Sequence, residues 1–361
     1  MPLIVDAHQD LAWNALTFGR DVTRSVADTR AAEAGAEAPT RNGNSLLGLP
    51  EYLQGQVAVI FGTLFVSPAR HASALWDGQA YATPEQAHQL AGRQLDYYHR
   101  LADEHPEFVL IDNRSQLEKV LATWNGPYKA GRRIGVVPLM EGADPIRTPE
   151  EVEEWYGRGI RILGLAWAAT RYAGGTGEPG PLTNEGRRLL DLMAEVGMIL
   201  DVSHCSDESC LEALDRYKGV VIATHANPRA LMKNFSRPER MLTDAMILRL
   251  AEAGGVIGIV PFNRFLRDDW TPTSGKNAVT LDAVVAMIDH ICQLTGSAAH
   301  VGIGSDFDGG FGVERVPAEI DTVADLQKLD PALRARGYSP ADVAAILGGN
   351  WISVLRRGLP A

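Results

Sequence analysis

Eight short apolar runs, most of them followed by a helical pattern, constrain this 361-residue chain more than any other feature. The runs fall at 3–7, 57–66, 134–140, 160–166, 198–203, 220–224, 255–260 and 300–305. They are rich in Val and Ile and show almost no alternation of apolar with polar residues. Strands that read this way are buried on both faces, as in a parallel sheet covered by helices. Amphipathic patterns between them predict helices at 84–104, 149–158, 184–196, 206–217, 244–253, 281–295 and 340–357. Thr83, Thr148 and Ser339 each precede a proline, the order expected of an N-cap and the first helical residue. The expected fold is therefore α/β, a (β/α)8 TIM barrel in one domain over residues 1–361. A doubly wound open sheet fits less well, because no Gly-x-Gly-x-x-Gly turn follows the first run and many runs end in polar residues.

One stretch stands outside the alternation. Residues 18–49 are polar, with little apolar periodicity, and they follow the first run on the side where barrel enzymes act. A loop of this length is commonly either functional or mobile, so a lid is one expectation.

Charge narrows the partners. Lys and Arg number 34 against 45 Asp and Glu, a formal net charge of −11, with both signs mixed along the chain. Nucleic acid and anionic membranes both call for clustered cations, so neither is expected as a partner. No run approaches the ~18 apolar residues of a membrane span. The start, Met1-Pro2-Leu3-Ile4-Val5-Asp6, lacks the basic and apolar regions of a signal peptide, which predicts a cytoplasmic protein. The three cysteines, Cys205, Cys210 and Cys292, have no disulfide or metal spacing and are expected to be reduced and buried.

The ends of the runs carry the chemistry, because in a barrel they converge on one mouth. The first ends in Asp6-Ala7-His8-Gln9-Asp10, with His8 and Asp10 two apart and so on one face of extended chain. The third ends in Glu141, the fifth in His204, the sixth in His225, and the last leads into Asp306 and Asp308. A carboxylate at the end of a buried strand is costly unless paired or bound to metal. Three imidazoles and two carboxylates suit zinc or a neighbouring transition metal better than magnesium or calcium. Five ligands exceed what one catalytic zinc needs and suit two zinc ions, with Glu141 between the first run and the later ones as the natural bridge. Such a pair can hold a hydroxide and lower its pKa. Asp306 is left over to take a proton from the attacking water and pass it on. His71, His88, His99, His105 and His290 lie in loops or helices and read as structural, and His300 opens the last run.

In sequence these pieces are Asp-Ala-His-Gln-Asp, Glu-Gly, Asp-Val-Ser-His-Cys-Ser-Asp, Ala-Thr-His-Ala-Asn-Pro-Arg-Ala-Leu, Arg-Met-Leu-Thr-Asp and Gly-Ser-Asp-Phe-Asp-Gly. Their order resembles the membrane (renal) dipeptidase family of metallopeptidases, within the amidohydrolase-like barrels, from about residue 3 to Arg356. The resemblance implies hydrolysis of the amide bond of dipeptides, small-molecule substrates, and a homodimer. It implies His8, Asp10 and Glu141 on one zinc, Glu141, His204 and His225 on the other, and Asp306 as general acid/base. It also implies Arg240 as the anchor of the substrate carboxylate, for which a bidentate guanidinium is suited.

Two departures bear on substrate. The family's histidine after the fourth run, which faces the developing oxyanion, is Trp167 here, and an indole offers one N–H and no charge. Zinc, Arg171 or Asn14 would then have to supply that stabilisation, or the substrate is another amide, such as an L,D-dipeptide or an N-acyl amino acid. After the seventh run Pro261-Phe262-Asn263 replaces the family's usual Asn-Phe, which makes Asn263 a candidate substrate contact. Deaminase and phosphotriesterase chemistry is disfavoured by His8-x-Asp10 in place of His-x-His and by the lack of a lysine in 160–167. A non-catalytic binding barrel is disfavoured by the intact Asp306.

Overall fold

The computed structural model describes residues 1–71, 76–126 and 131–361. Eight parallel strands form its centre: β1 (Ile4–Gln9), β2 (Val57–Phe65), β3 (Ile134–Glu141), β4 (Ile162–Gly164), β5 (Ile199–Asp201), β6 (Val221–Ile222), β7 (Ile257–Ile259) and β8 (Val301–Ile303). Each coincides with a predicted apolar run. Their order is β6-β5-β4-β3-β2-β1-β8-β7, and a parallel bridge between Ala223 and Ile257 joins the two ends into a ring. The expected barrel is present.

Closure depends on glycine at two positions. A Cβ on Gly258 would lie 1.9 Å from the Thr224 carbonyl oxygen, and one on Gly304 would lie 1.8 Å from it. Any side chain there would push the last strands away from β6.

Helices follow the strands in turn, among them Pro84–Glu104 after β2, Asn184–Val196 after β4 and Leu281–Thr295 after β7. Thr83 and Ser339 act as the expected caps, accepting from the backbone N–H of Gln86 and Asp342. Thr148 takes the same place before a single 3₁₀ turn without a side-chain cap bond. The final helix is continuous as the sequence suggested, but a π turn interrupts its regular hydrogen bonding. The turn spans Ala345–Gly349, between Pro340–Ala344 and Asn350–Gly358. A Cβ on Gly348 would sit 2.7 Å from the Leu3 carbonyl oxygen, so the π turn lets the helix backbone approach β1. A further strand, Phe108–Leu110, pairs with the start of β3. Three residues are too few for periodicity to reveal.

The polar segment 18–49 holds helices Val26–Ala32 and Glu37–Asn42. Arg20, buried, donates to both Glu33 oxygens at 2.8 and 3.0 Å and lies 3.3 Å from Asp308. Asn42 donates to the Asp308 carbonyl and accepts from the Gly310 N–H. The segment is thus fastened to the barrel mouth through polar pairs as well as through the buried Val22, Leu46 and Leu47, which are too scattered to form an apolar pattern. Arg20→Met is expected to destabilise the protein by ~3–5 kcal/mol, the usual cost of orphaning buried charges. A shift in the urea-unfolding midpoint measures it, and an unchanged midpoint would show that Glu33 and Asp308 need no cation.

Candidate metal centre

His8, Asp10, Glu141, His204 and His225 come together at the C-terminal ends of β1, β3, β5 and β6, and all are buried. Asp306 joins them after β8, its side chain 14% exposed. The chain reaches this point under local strain. Of the described non-glycine residues, only Gln56, His204, Asp306 and Asp308 have positive φ, at 54°, 65°, 57° and 62°. Gln56 ends a helix, whereas the other three stand at strand ends beside the site, where such strain commonly serves function.

Glu141 divides the set. Its Oε2 lies 3.7 Å from His8 Nε2, and His8 Nε2 lies 3.8 Å from Asp10 Oδ2. Its Oε1 lies 3.3 Å from His204 Nε2 and 3.2 Å from His225 Nε2. Two ligands of a tetrahedral zinc, each ~2.0–2.1 Å from it, are about 3.3 Å apart, so these separations are of the size a metal imposes. A third grouping, His8, His225 and Asp306, also has its donor atoms within 4.8 Å of one another.

Outer contacts orient the imidazoles. Thr224 Oγ1 donates to Asp201 Oδ2 at 2.6 Å and so accepts from His225 Nδ1 at 2.9 Å. That fixes the proton on Nδ1 and leaves the Nε2 lone pair facing Glu141. Thr176 Oγ1 stands 3.0 Å from His204 Nδ1 on the side of the ring away from Glu141. His204 Nε2 and His225 Nε2 are then 3.0 Å apart with a carboxylate oxygen beside both, an arrangement that repels unless a cation lies among the atoms. Buried His8 Nδ1 and Nε2 and Asp10 Oδ1 have no hydrogen-bond partner among the described residues. Burial pushes His8 down to about 3, helped by Arg240, and pushes Asp10 up to about 7, helped by Asp308. Glu141 and Asp306 are raised by burial and then by Asp10, while His204 and His225 are lowered by burial. The donors therefore fit divalent metal, and metal would relieve each of these penalties.

Close packing holds the groups in place. Ser305 gives its N–H and hydroxyl to Asp6 at 2.7 and 2.5 Å, and the Asp306 N–H bonds the His8 carbonyl at 3.2 Å, stitching β8 to β1. Gly309 leaves the space they need, since a Cβ there would be 2.2 Å from Asp306 Oδ1 and 2.8 Å from Asp10 Oδ2.

Arg240, buried, donates Nη1 to the His225 carbonyl at 2.8 Å, while its Nη2 has no partner among the described residues. It lines a cavity of about 610 Å³ with Asp10, Glu141, His204, His225, Asp306 and Trp167. Asn263 does not reach this cavity. Its amide is buried and donates to the Lys276 and Val316 carbonyls, and its neighbour Phe262 lines the space instead. Arg171 and Asn14 are also engaged elsewhere, Arg171 on the Ile146 and Arg147 carbonyls and Asn14 on those of Asp10 and Asp308. His71, which the sequence offered as structural, does line the cavity, with its ring edge-on to Trp167 at 5.0 Å. Sequence reasoning also passed over Thr176 and the Asp201–Thr224 pair, although Thr224 directly precedes His225. The three cysteines are free and buried, as expected.

The chain is 33% identical over 234 residues to an uncharacterized protein in the pqqA 5′ region of Klebsiella pneumoniae, covering 62% of this chain and 82% of that one. It is 25% identical over 330 residues to a dipeptidase of Claviceps purpurea, covering 88% and 71%. In fold it is similar to a metallopeptidase of Rhodobacter sphaeroides, liganded with a phosphinate mimic of the dipeptide L-Ala-D-Ala, at a TM-score of 0.77 and 23% identity over 99% of both chains. The model of the membrane dipeptidases, peptidase family M19, matches residues 1–358, and the chain belongs to that family of metallo-dipeptidases.

Proposed function

We propose that the protein is a dinuclear zinc dipeptidase, with His8, Asp10 and Glu141 holding one ion and Glu141, His204 and His225 the other. The observation that carries this is the division of Glu141, one oxygen toward His8 and the other toward His204 and His225. Divalent metal held by these residues would supply Lewis-acid activation of the attacking water and polarisation of the scissile carbonyl. Arg240 takes the substrate carboxylate on its free Nη2, which sets the peptide's direction across the cavity. Asp306 accepts the proton of the attacking water and returns it to the leaving amine. The cavity volume is in the range of small-molecule sites. We read residues 1–361 as one barrel domain. A cytoplasmic homodimer is the accompanying proposal, supported by the sequence reading and the family likeness. Among the described residues no helix is long and apolar enough to cross a membrane.

Trp167 favours a second reading on the same site, the hydrolysis of an L,D-dipeptide or an N-acyl amino acid. Arg171 and Asn14 are engaged elsewhere and do not line the cavity, so the missing histidine's part would fall to metal or to a lining group such as His71. One experiment separates the readings. Purified zinc-loaded protein, its metal quantified by mass spectrometry, is assayed on L,L-dipeptides, L,D-dipeptides and N-acyl amino acids. About two zinc per chain and hydrolysis of dipeptides are expected. Turnover of L,D-dipeptides or N-acyl amino acids without that of L,L-dipeptides would shift the assignment to the second reading, and full activity after chelation would sink both.

A further inference from the structure

Closure of the barrel gives the cavity two halves. β1–β4 form one side of the ring and β5–β8 the other. The candidate ligands straddle the division, with His8, Asp10 and Glu141 on the first half and His204 and His225 on the second. Arg240 follows β6 and packs over the ring of Phe265, which follows β7. A dipeptide with its carboxylate on Arg240 and its scissile carbonyl beside Glu141 must extend its amino-terminal residue toward the first half.

Aromatic rings line both halves, with Phe235, Phe262, Phe265 and Phe311 on the second, and on the first they form a wall that reaches the ligands. Trp13 follows β1, Phe65 ends β2 and Trp167 follows β4, and all three line the cavity. Phe65 meets Trp167 at 5.1 Å and 60°, and Trp13 meets Phe65 at 6.4 Å and 68°, both edge-to-face. Trp167 in turn lies 6.2 Å from the ring of His204, so the wall reaches the metal ligands themselves. The Trp13 ring is held by its Nε1, which donates to both oxygens of Asp77 at 3.1 and 3.2 Å, and the backbone at Trp167 is fixed by the Thr176 N–H on the Trp167 carbonyl at 2.9 Å. Phe65 and Trp167 remain half-buried. Their uncovered faces are flat apolar surface next to the reacting centre, which a methyl side chain leaves wet and a large one covers.

We infer that Trp13, Phe65 and Trp167 select substrates whose amino-terminal residue carries a large apolar or aromatic side chain. The inference rests on the dipeptidase reading above, because it uses Arg240 to set the direction of the peptide. Trp167 then defines specificity by filling space beside the scissile bond.

The test compares Phe-Ala with Ala-Ala, each with L- and D-alanine at the second position, on zinc-loaded wild type, Trp167→Ala and Phe65→Ala. Wild type is expected to favour Phe-Ala by ~10-fold or more in kcat/KM, the usual effect of filling an apolar pocket by even one methylene. In Trp167→Ala the ratio of the two substrates falls to within about threefold of unity on the same principle. The ratio of Ala-Phe to Ala-Ala, which reports the other half of the cavity, keeps its wild-type value. Calorimetric Kd values for phosphinate analogues of Phe-Ala and Ala-Ala should show the same preference and the same loss. If Trp167→Ala does not fold, the Phe65→Ala ratios decide. Equal wild-type rates on Phe-Ala and Ala-Ala, or a preference that survives both substitutions, overturn the inference and leave the dipeptidase reading standing. Zinc-loaded wild type that cleaves no dipeptide overturns the reading itself.

Discussion

Glu141→Gln is expected to leave a folded barrel that has lost metal and nearly all activity. The substitution keeps the shape of the side chain and removes the one negative charge that both ligand groups share. An amide still offers one oxygen, which can face His8 or the His204–His225 pair but not both. Zinc content should fall from about two per chain to one or fewer, because each ion would be left with a neutral donor or none from this position. Loss of even one preorganised electrostatic contact costs ~10²–10³ in rate, so kcat/KM should fall by more than ~10³ when the activated water is lost as well. Metal analysis and steady-state kinetics on the same preparation measure both. A variant with two zinc ions and wild-type turnover would show that Glu141 bridges nothing.

The residues behind this prediction were readable in the sequence for a physical reason. His8, Glu141, His204 and His225 each end or directly follow an apolar run, and a polar group there stands out against its neighbours. The barrel converts that one-dimensional pattern into a cluster. Boundaries were less readable. The fourth run spans 160–166, but the paired strand is only Ile162–Gly164, because the chain leaves the ladder to carry Trp167 to the cavity. The π turn at Ala345–Gly349 was hidden because its cause, close approach to Leu3, lies more than 300 residues away in the chain.

Residue roles on loops were the least readable. Asn263, which follows the seventh run, and His71, which no run marks, show this from opposite sides, since only tertiary placement decides which faces the cavity. Asn263 turned inward to the Lys276 and Val316 carbonyls, while His71 came to lie against Trp167. Segment 18–49 is similar. Polar pairs among Arg20, Glu33, Asn42 and Asp308 tie its helices to the barrel mouth beside the buried Val22, Leu46 and Leu47, and neither the pairs nor these scattered apolar residues register as periodicity.

Asp306→Asn should separate proton transfer from metal binding. Asp306 lies 3.9 Å from His8 Nε2 and is held in the left-handed region at φ 57°. Asparagine tolerates that conformation as readily as aspartate and fills the same space, so the backbone and the Gly309 contact should persist. What is lost is the ability to accept a proton. With two zinc ions retained and KM little changed, kcat should drop by ~10²–10⁴, the range for removal of a general acid–base group. The alternative role is also measurable. Asp306 can be grouped with His8 and His225 as a ligand set, and in that role the substitution would deplete metal as Glu141→Gln does. Retained metal with a kcat within about threefold of wild type would exclude both roles and leave Asp306 as a structural group between β8 and the cavity.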